Sequence, residues 1–250
     1  MAKLSGKIAV VTGASKGIGA GIAKELAAQG ATVVVNYASS KDGAEKVVAE
    51  IVAAGGKAVA IGGSVAVESD INALFAQVKQ QFGKVDILVN NAGVYSFAPL
   101  EAITAEEIDR IYNTNVKGLL LTTKAAGALI PAEGGSIINI GSVVSEIAPP
   151  ASSIYSSTKG AVDVITRVLA KELGPKKIRV NAVNPGLTAT EGTHTAGIAG
   201  SDFETDAVKN TPLGRVGKPQ DIASVVAFLA SDEAGWVTGA LLQAGGGLRS

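Results

Sequence analysis

Seven short runs of Val, Ile, Leu and Ala recur along the chain, most of them apolar at successive rather than alternate positions. Ile8–Thr12, Thr32–Asn36, Ala58–Ile61, Ile87–Asn90, Ile137–Ile140, Ile178–Val183 and Ala240–Gln243 read as strands covered on both faces, the pattern of a parallel sheet. Between them the apolar spacing changes to three and four. Ile18, Ile22 and Leu26 mark one helical face, Val47, Val48, Ile51 and Val52 a second, and Ile71, Leu74, Phe75 and Val78 a third. Strand–helix alternation over most of the chain predicts an α/β fold, a doubly wound parallel sheet of about seven strands with helices on both faces. No linker-like stretch or internal repeat divides the chain, so one domain over residues 1–250 is expected. Thr188–Asp206 is rich in Gly, Thr and Ala and lacks a period. With the residues up to 210 it is expected to form a mobile lid over a substrate.

Composition narrows the chemistry. The 22 basic and 22 acidic residues balance and no run of like charge stands out, which argues against a nucleic-acid partner. With no cysteine there are no disulfides, thiolate nucleophiles or zinc–thiolate sites. The single histidine, His194, excludes a multi-histidine metal site, so no metal is expected, and it argues against a Ser-His-Asp triad. No charge-free run reaches the roughly 18 apolar residues of a membrane span, and the N-terminus lacks an apolar signal core. The expectation is a cytoplasmic protein without a membrane partner.

Glycine is the unusual count, 31 in 250 residues against a usual ~7%. Thr12-Gly13-Ala14-Ser15-Lys16-Gly17-Ile18-Gly19 follows the first strand and runs into a helix. A diphosphate there would meet unpaired backbone N–H groups and the positive end of the helix dipole. Gly13 permits the tight turn, Gly17 the approach of backbone to phosphate, and Gly19 close helix–strand packing. Farther on, Tyr155-Ser-Ser-Thr-Lys159 follows Ser142 at a strand end. Helical residues four apart share a face, so Lys159 lies one turn from Tyr155. A neighbouring ammonium favours phenolate and would draw a phenol of pKa ~10 toward the working pH.

These motifs together closely resemble the short-chain dehydrogenase/reductase family, from about Gly6 to Gly247, with Gly-x-x-x-Gly-x-Gly as its glycine turn. The resemblance implies a Rossmann-type fold and a nicotinamide dinucleotide. Tyr155 matches the family's general acid/base, and Lys159 the lysine that also hydrogen-bonds the nicotinamide ribose. Ser142 matches the serine that polarises the carbonyl. Asn115 matches the asparagine supporting a proton relay through water; by itself a mid-helix Asn reads equally well as a backbone cap or kink. Ser15, Lys16, Ile18, Asn91, Ala92 and Gly93 fall at cofactor positions, as do Pro185, Gly186, Thr188 and Thr190 beside the nicotinamide, while Asn90 would stabilise the central sheet. The resemblance also implies a homotetramer, built here from Leu119–Ile130, Ala161–Leu173 and the C-terminal strand.

Three local features refine this picture. An acidic residue at the end of the second strand would repel a 2′-phosphate, but Asn36-Tyr37-Ala38-Ser39 stands there, with Ser39, Lys16 and Lys41 as candidate donors, so NADP(H) is preferred. Ser64, followed by Val65, occupies a position where many relatives carry an adenine-binding Asp. Gln243-Ala244-Gly245 replaces a frequent Asp-Gly-Gly turn. Val94, Tyr95, Val143, Val144, Ile147 and Leu187 are expected beside the carbonyl and point to a ketone, or its alcohol, with hydrophobic substituents. A 3-oxoacyl-acyl-carrier-protein reductase is the alternative. It is disfavoured because Lys159 is the sole basic residue between Lys124 and Arg167 and Glu133 lies where carrier-dependent relatives are often basic. A non-catalytic dinucleotide-binding regulator is a third reading, disfavoured because Tyr155 and Lys159 are both retained.

Overall fold

The computed structural model describes residues 2–195 and 197–248. Its strands are β1 (Ile8–Val11), β2 (Thr32–Tyr37), β3 (Lys57–Gly62), β4 (Ile87–Asn90), β5 (Gly135–Ile140), β6 (Ile178–Pro185) and β7 (Leu241–Ala244). The helices are α1 (Gly17–Ala28), α2 (Lys41–Ala53), α3 (Glu68–Phe82), α4 (Ala105–Tyr112), α5 (Leu119–Gly127), α6 (Val144–Ile147), α7 (Ser153–Leu173), α8 (Glu191–Thr195), α9 (Asp202–Lys209) and α10 (Pro219–Ala230). All seven strands are parallel, in the order β3-β2-β1-β4-β5-β6-β7. This is the expected doubly wound Rossmann-type sheet, with the order reversing direction between β1 and β4, where such sheets open a binding crevice.

The continuous apolar runs are explained by two cores. Ala9 and Val11 of β1, Ile87 and Val89 of β4, and Ile138 and Ile140 of β5 pack with α1, α2 and α10. The intervening Val10, Leu88 and Ile137 face α3, α5 and α7. On the central strands each such position is thus buried on one side or the other, which leaves no alternation to read there, while the edge strands β3 and β7 keep Lys57 and Gln243 exposed. Polar side chains tie the layers together. Asn90 Nδ2 donates to Thr123 Oγ1 on α5 and Asn139 Oδ1 on β5, both at 2.9 Å, and Asn139 Nδ2 donates to Thr166 Oγ1 on α7. Asn90 therefore stabilises the central sheet as its position suggested.

Residues 188–210 differ from the aperiodic segment read from the sequence: they hold α8 and α9, and the Ser201 hydroxyl caps α9 by accepting from Glu204 N. Short helices with capping residues leave too few turns for a period to show. Ala196, inside the expected lid, lies outside the described residues.

Candidate active site

The parallel order brings the C-terminal ends of β1, β4, β5 and β6 to one edge, and the residues singled out by sequence collect there. Gly13, at φ +61°, turns the chain after β1; a Cβ on it would stand 2.9 Å from Ala92 Cα. Asn91 Nδ2 donates to the carbonyls of Thr12 and Gly13, locking the β4 end to the glycine turn, and a Cβ on Gly19 would run into that amide. The first amides of α1 face outward: Lys16 provides no side-chain cap and the first turn has no acidic residue. Gly17 N instead donates to Glu191 Oε2 of α8 at 3.0 Å. A carboxylate therefore occupies the anion-attracting helix end where a diphosphate would bind. That stand-in shows that the helix end accepts an anionic oxygen, as the diphosphate of a dinucleotide requires.

At the neighbouring strand ends the expected contacts divide. Asn36 is 1% exposed; its Nδ2 donates to the carbonyls of Ile61 and Gly63, and its Oδ1 accepts from Gly13 N. It is thus spent on joining β2, β3 and the glycine turn and presents no free donor, whereas Lys16 and Ser39 are exposed at the rim. Lys41 is engaged with Glu45, one turn along α2. Tyr37 packs its ring against Gly62. Ser64 N donates to Asp70 Oδ2 while Ser64 Oγ accepts from Ala66 N, and the Val65 carbonyl abuts Gly118. Pro185 ends β6, Gly186 lies against Gly245, and Thr188 Oγ1 donates to the Gly186 carbonyl. Thr190 caps the following turn by accepting from Thr193 N.

Tyr155 and Lys159 sit on the first turns of α7, and Ser142 follows β5 by two residues. Lys159 Nζ donates to the Ile140 carbonyl at 2.8 Å and lies 5.7 Å from the centre of the Tyr155 ring. A π-helical turn, Asn113–Gly118, buries Asn115 and aims it at the site. Asn115 Oδ1 accepts from Val94 N and its Nδ2 donates to the Val94 carbonyl and Thr158 Oγ1, clamping the loop after β4 to α7. Gly93 passes between Asn115 and Lys159.

The electrostatics correct one expectation. Tyr155 is not drawn toward neutrality: burial pushes its phenol up to about 12, with the Ser142 hydroxyl opposing and Tyr95 adding to the rise. Lys159 is brought down to about 8 by burial, which Asp163 opposes. The lysine shares a face with the tyrosine, as its spacing requires, but its ammonium is seated on a backbone carbonyl. The low-polarity surroundings act on both groups and outweigh their attraction. Tyr155 is consequently a protonated phenol throughout the neutral range.

Above it opens a cavity of about 420 Å³ lined by Val94, Tyr95, Val143, Val144, Ile147 and Leu187, the six residues expected beside the carbonyl. Phe97 and Phe203 line it too and went unnoticed in the sequence. The rings of Tyr95, Phe97 and Tyr155 form a mutual cluster with centroids 5.9–6.2 Å apart. Phe97, two residues after Tyr95 on a loop, carried a weak signal; Phe203 reaches the cavity from α9, whose helical nature was not apparent.

The model of a family described as enoyl-(acyl carrier protein) reductase matches residues 13–249. This chain is a member of the short-chain dehydrogenase/reductase family. An uncharacterized oxidoreductase of Methylorubrum extorquens is 60% identical over 249 residues, covering 100% of each chain. Versicolorin reductase of Emericella nidulans is 40% identical, with 98% of this chain and 96% of that one aligned. The crystal structure of an angucycline C-6 ketoreductase with bound NADP is 38% identical, superposes with a TM-score of 0.90, and covers 98% of this chain and 96% of that one. As a member of this family the chain is an oxidoreductase, and two of these relatives are named as reductases, one of them a ketoreductase. Among the described residues no helix is long and apolar enough to cross a membrane, and no group of three metal-ligating side chains occurs.

Proposed function

We propose that the protein uses NADPH to reduce the carbonyl of a hydrophobic, aryl-bearing ketone to a secondary alcohol, reversibly. The observation that carries this reading is a protonated Tyr155 beside Ser142 at the base of a largely apolar cavity whose wall continues to the glycine turn. When bound, the dinucleotide supplies the hydride. Gly13, Ser15, Gly17, Ile18 and Gly19 would hold its diphosphate, Ala92 and Gly93 would admit its ribose, and Pro185, Gly186, Thr188 and Thr190 would flank the nicotinamide. The Ser142 hydroxyl orients the substrate carbonyl, and Tyr155 donates its proton to the carbonyl oxygen. Lys159, one turn away, stabilises the phenolate that remains. Asn115 keeps the Val94 loop and α7 in register beneath this pair.

The preference for NADPH rests on the absence of a carboxylate at the end of β2, with Lys16 and Ser39 exposed where a 2′-phosphate would lie. A neighbour solved with NADP agrees with it. The preference for aryl ketones rests on Tyr95, Phe97 and Phe203, which offer ring faces and edges to a planar substrate, and the relatives named as a versicolorin reductase and an angucycline C-6 ketoreductase support a ketone substrate. Residues 188–210 act as the lid, since Ile198, Phe203, Asp206 and Asn210 close one side of the cavity. The exposed apolar side chains Leu120 on α5 and Val164 and Val168 on α7 favour assembly through those helices into a tetramer.

The test is turnover of NADPH and NADH with a ketone panel of diketones, 3-oxoesters, a 3-oxoacyl-carrier substrate and bicyclic aryl ketones. Tyr155→Phe should abolish reduction while NADPH binding, followed by its fluorescence, persists. Near wild-type turnover in that variant would sink the mechanism, and efficient salt-sensitive turnover of the carrier-bound substrate alone would sink the substrate class.

A further inference from the structure

α7 carries two buried groups of opposite charge, one turn apart. Lys159 is 6% exposed and Asp163 5%. Among the described residues neither joins an ion pair within 4 Å, and the hydrogen bonds of both charged ends go to neutral partners. Lys159 donates to the Ile140 carbonyl, and Asp163 Oδ1 accepts from Asn184 Nδ2 on β6 at 3.1 Å. A charge taken out of water without a counter-charge is costly, so each of these buried groups requires the other.

Their placement supports such a pairing. Four residues apart, the two side chains share one face of α7. Asp163 Oδ1 lies 3.5 Å from where Gly141 would carry a Cβ, and Gly141 directly follows the carbonyl that seats Lys159. The other groups around the lysine do not supply the missing charge. Tyr155 is a neutral phenol, Asp206 stands on the α9 wall of the cavity, and Ser142, Asn115 and Asn184 are uncharged. On the elements packed against α7, Glu146 of α6 accepts from Gln243, Arg110 of α4 pairs with Glu107, and the Tyr112 hydroxyl of α4 donates to Ser157. Lys117 of the π-helical turn is exposed. Arg167, one turn beyond Asp163, donates to its backbone carbonyl.

We propose that Asp163 is a positioning residue of the site, its carboxylate being the buried counter-charge that keeps the Lys159 ammonium protonated and seated on the Ile140 carbonyl. The consequence for turnover rests on the part assigned to Lys159 above; the coupling itself does not. Asp163→Asn keeps an acceptor for Asn184 and removes only the charge.

In the unliganded protein, acylation of Lys159 by trace acetic anhydride, followed across pH by peptide mass spectrometry, reads its protonation directly. The midpoint should fall by about one pH unit in Asp163→Asn and return toward the wild-type value in Asp163→Glu. In the cofactor-saturated enzyme the alkaline limb of turnover should move by the same interval, a loss of about twofold at pH 7 and about fivefold at pH 8 for a lysine that titrates near 8 in the wild type. Should the amide variant not fold, Asp163→Ser, smaller and equally uncharged, carries the same expectation. An unmoved acylation midpoint in either folded variant overturns the proposal. A midpoint that moves beneath an unmoved turnover profile supports the coupling and refutes the role given to Lys159 in the reduction.

Discussion

Gly141 is the position at which a single methyl group tests how tightly this site is built. A Cβ there would run into Asn184 Oδ1, stand 2.9 Å from Asn184 Cγ and lie 3.5 Å from Asp163 Oδ1. Asn184 is fully buried and donates to Asp163, so it has no free space to enter. Relief requires β5 and β6 to part, or the Ile140–Ser142 segment to shift. Overpacking of this kind costs about 1–3 kcal/mol, and at this chain length each kcal/mol lowers the melting temperature by about 2–4 °C. Gly141→Ala should therefore melt about 2–12 °C below the wild type. The same movement displaces the carbonyl that seats Lys159 and the serine beside Tyr155, and a misplacement of 1 Å at such groups can cost about 100-fold in rate. Gly160→Ala is the matched control: it adds the same methyl to α7 beside Lys159, where nothing lies within 4 Å. Replacing a helix-interior glycine in open space stabilises by about 0.5–1 kcal/mol. Differential scanning calorimetry and steady-state kinetics on the two variants give opposite signs if the close approach is real. A Gly141→Ala protein with wild-type melting temperature and turnover would refute the reasoning.

Two further predictions concern charge. Glu191→Gln removes the carboxylate that accepts from Gly17 N, a competitor for the helix end that the diphosphate needs; NADPH should bind about two- to fivefold more tightly in a fluorescence titration, and weaker binding would contradict the competition. Lys159 titrates near 8 in the folded chain against 10.5 in the unfolded one, so between those values the unfolded chain holds the extra proton and rising pH favours folding. Relative to Lys159→Met, the wild type should gain about 2–3 kcal/mol of stability between pH 7 and 10 in chemical denaturation, whereas parallel curves would show that burial does not depress this lysine.

The sheet was legible because its signal is local. A strand buried on both faces must be apolar at every position, so Val10 and Val11 are hydrophobic for two different cores, and the run survives without knowledge of what covers it. The glycine turn and the Tyr155–Lys159 spacing were legible for the same reason: each is a short-range geometric requirement written in adjacent residues. Asn36 shows where that logic stops. Its chemistry, an uncharged side chain at the end of β2, was readable, but its use was not, since the partners that consume it come from β3 and the glycine turn.

The electrostatic character of the site lay farther out of reach, and Tyr155 shows why. Spacing places an ammonium near the phenol, which alone predicts a lowered pKa. The rise comes instead from burial, among Tyr95, Phe97 and the apolar side chains that close the cavity from other segments of the chain. Desolvation sums over everything nearby regardless of sequence distance, so it cannot be read from a motif of five residues. It also changes what the motif does. A phenol held protonated is suited to donate in the reductive direction, while a lysine brought close to neutrality depends on its other neighbours to stay charged. On the proposed reading the Tyr155–Lys159 pair specifies the kind of chemistry, while the distant residues that bury it, and Asp163 one turn along, would set the pH at which it runs.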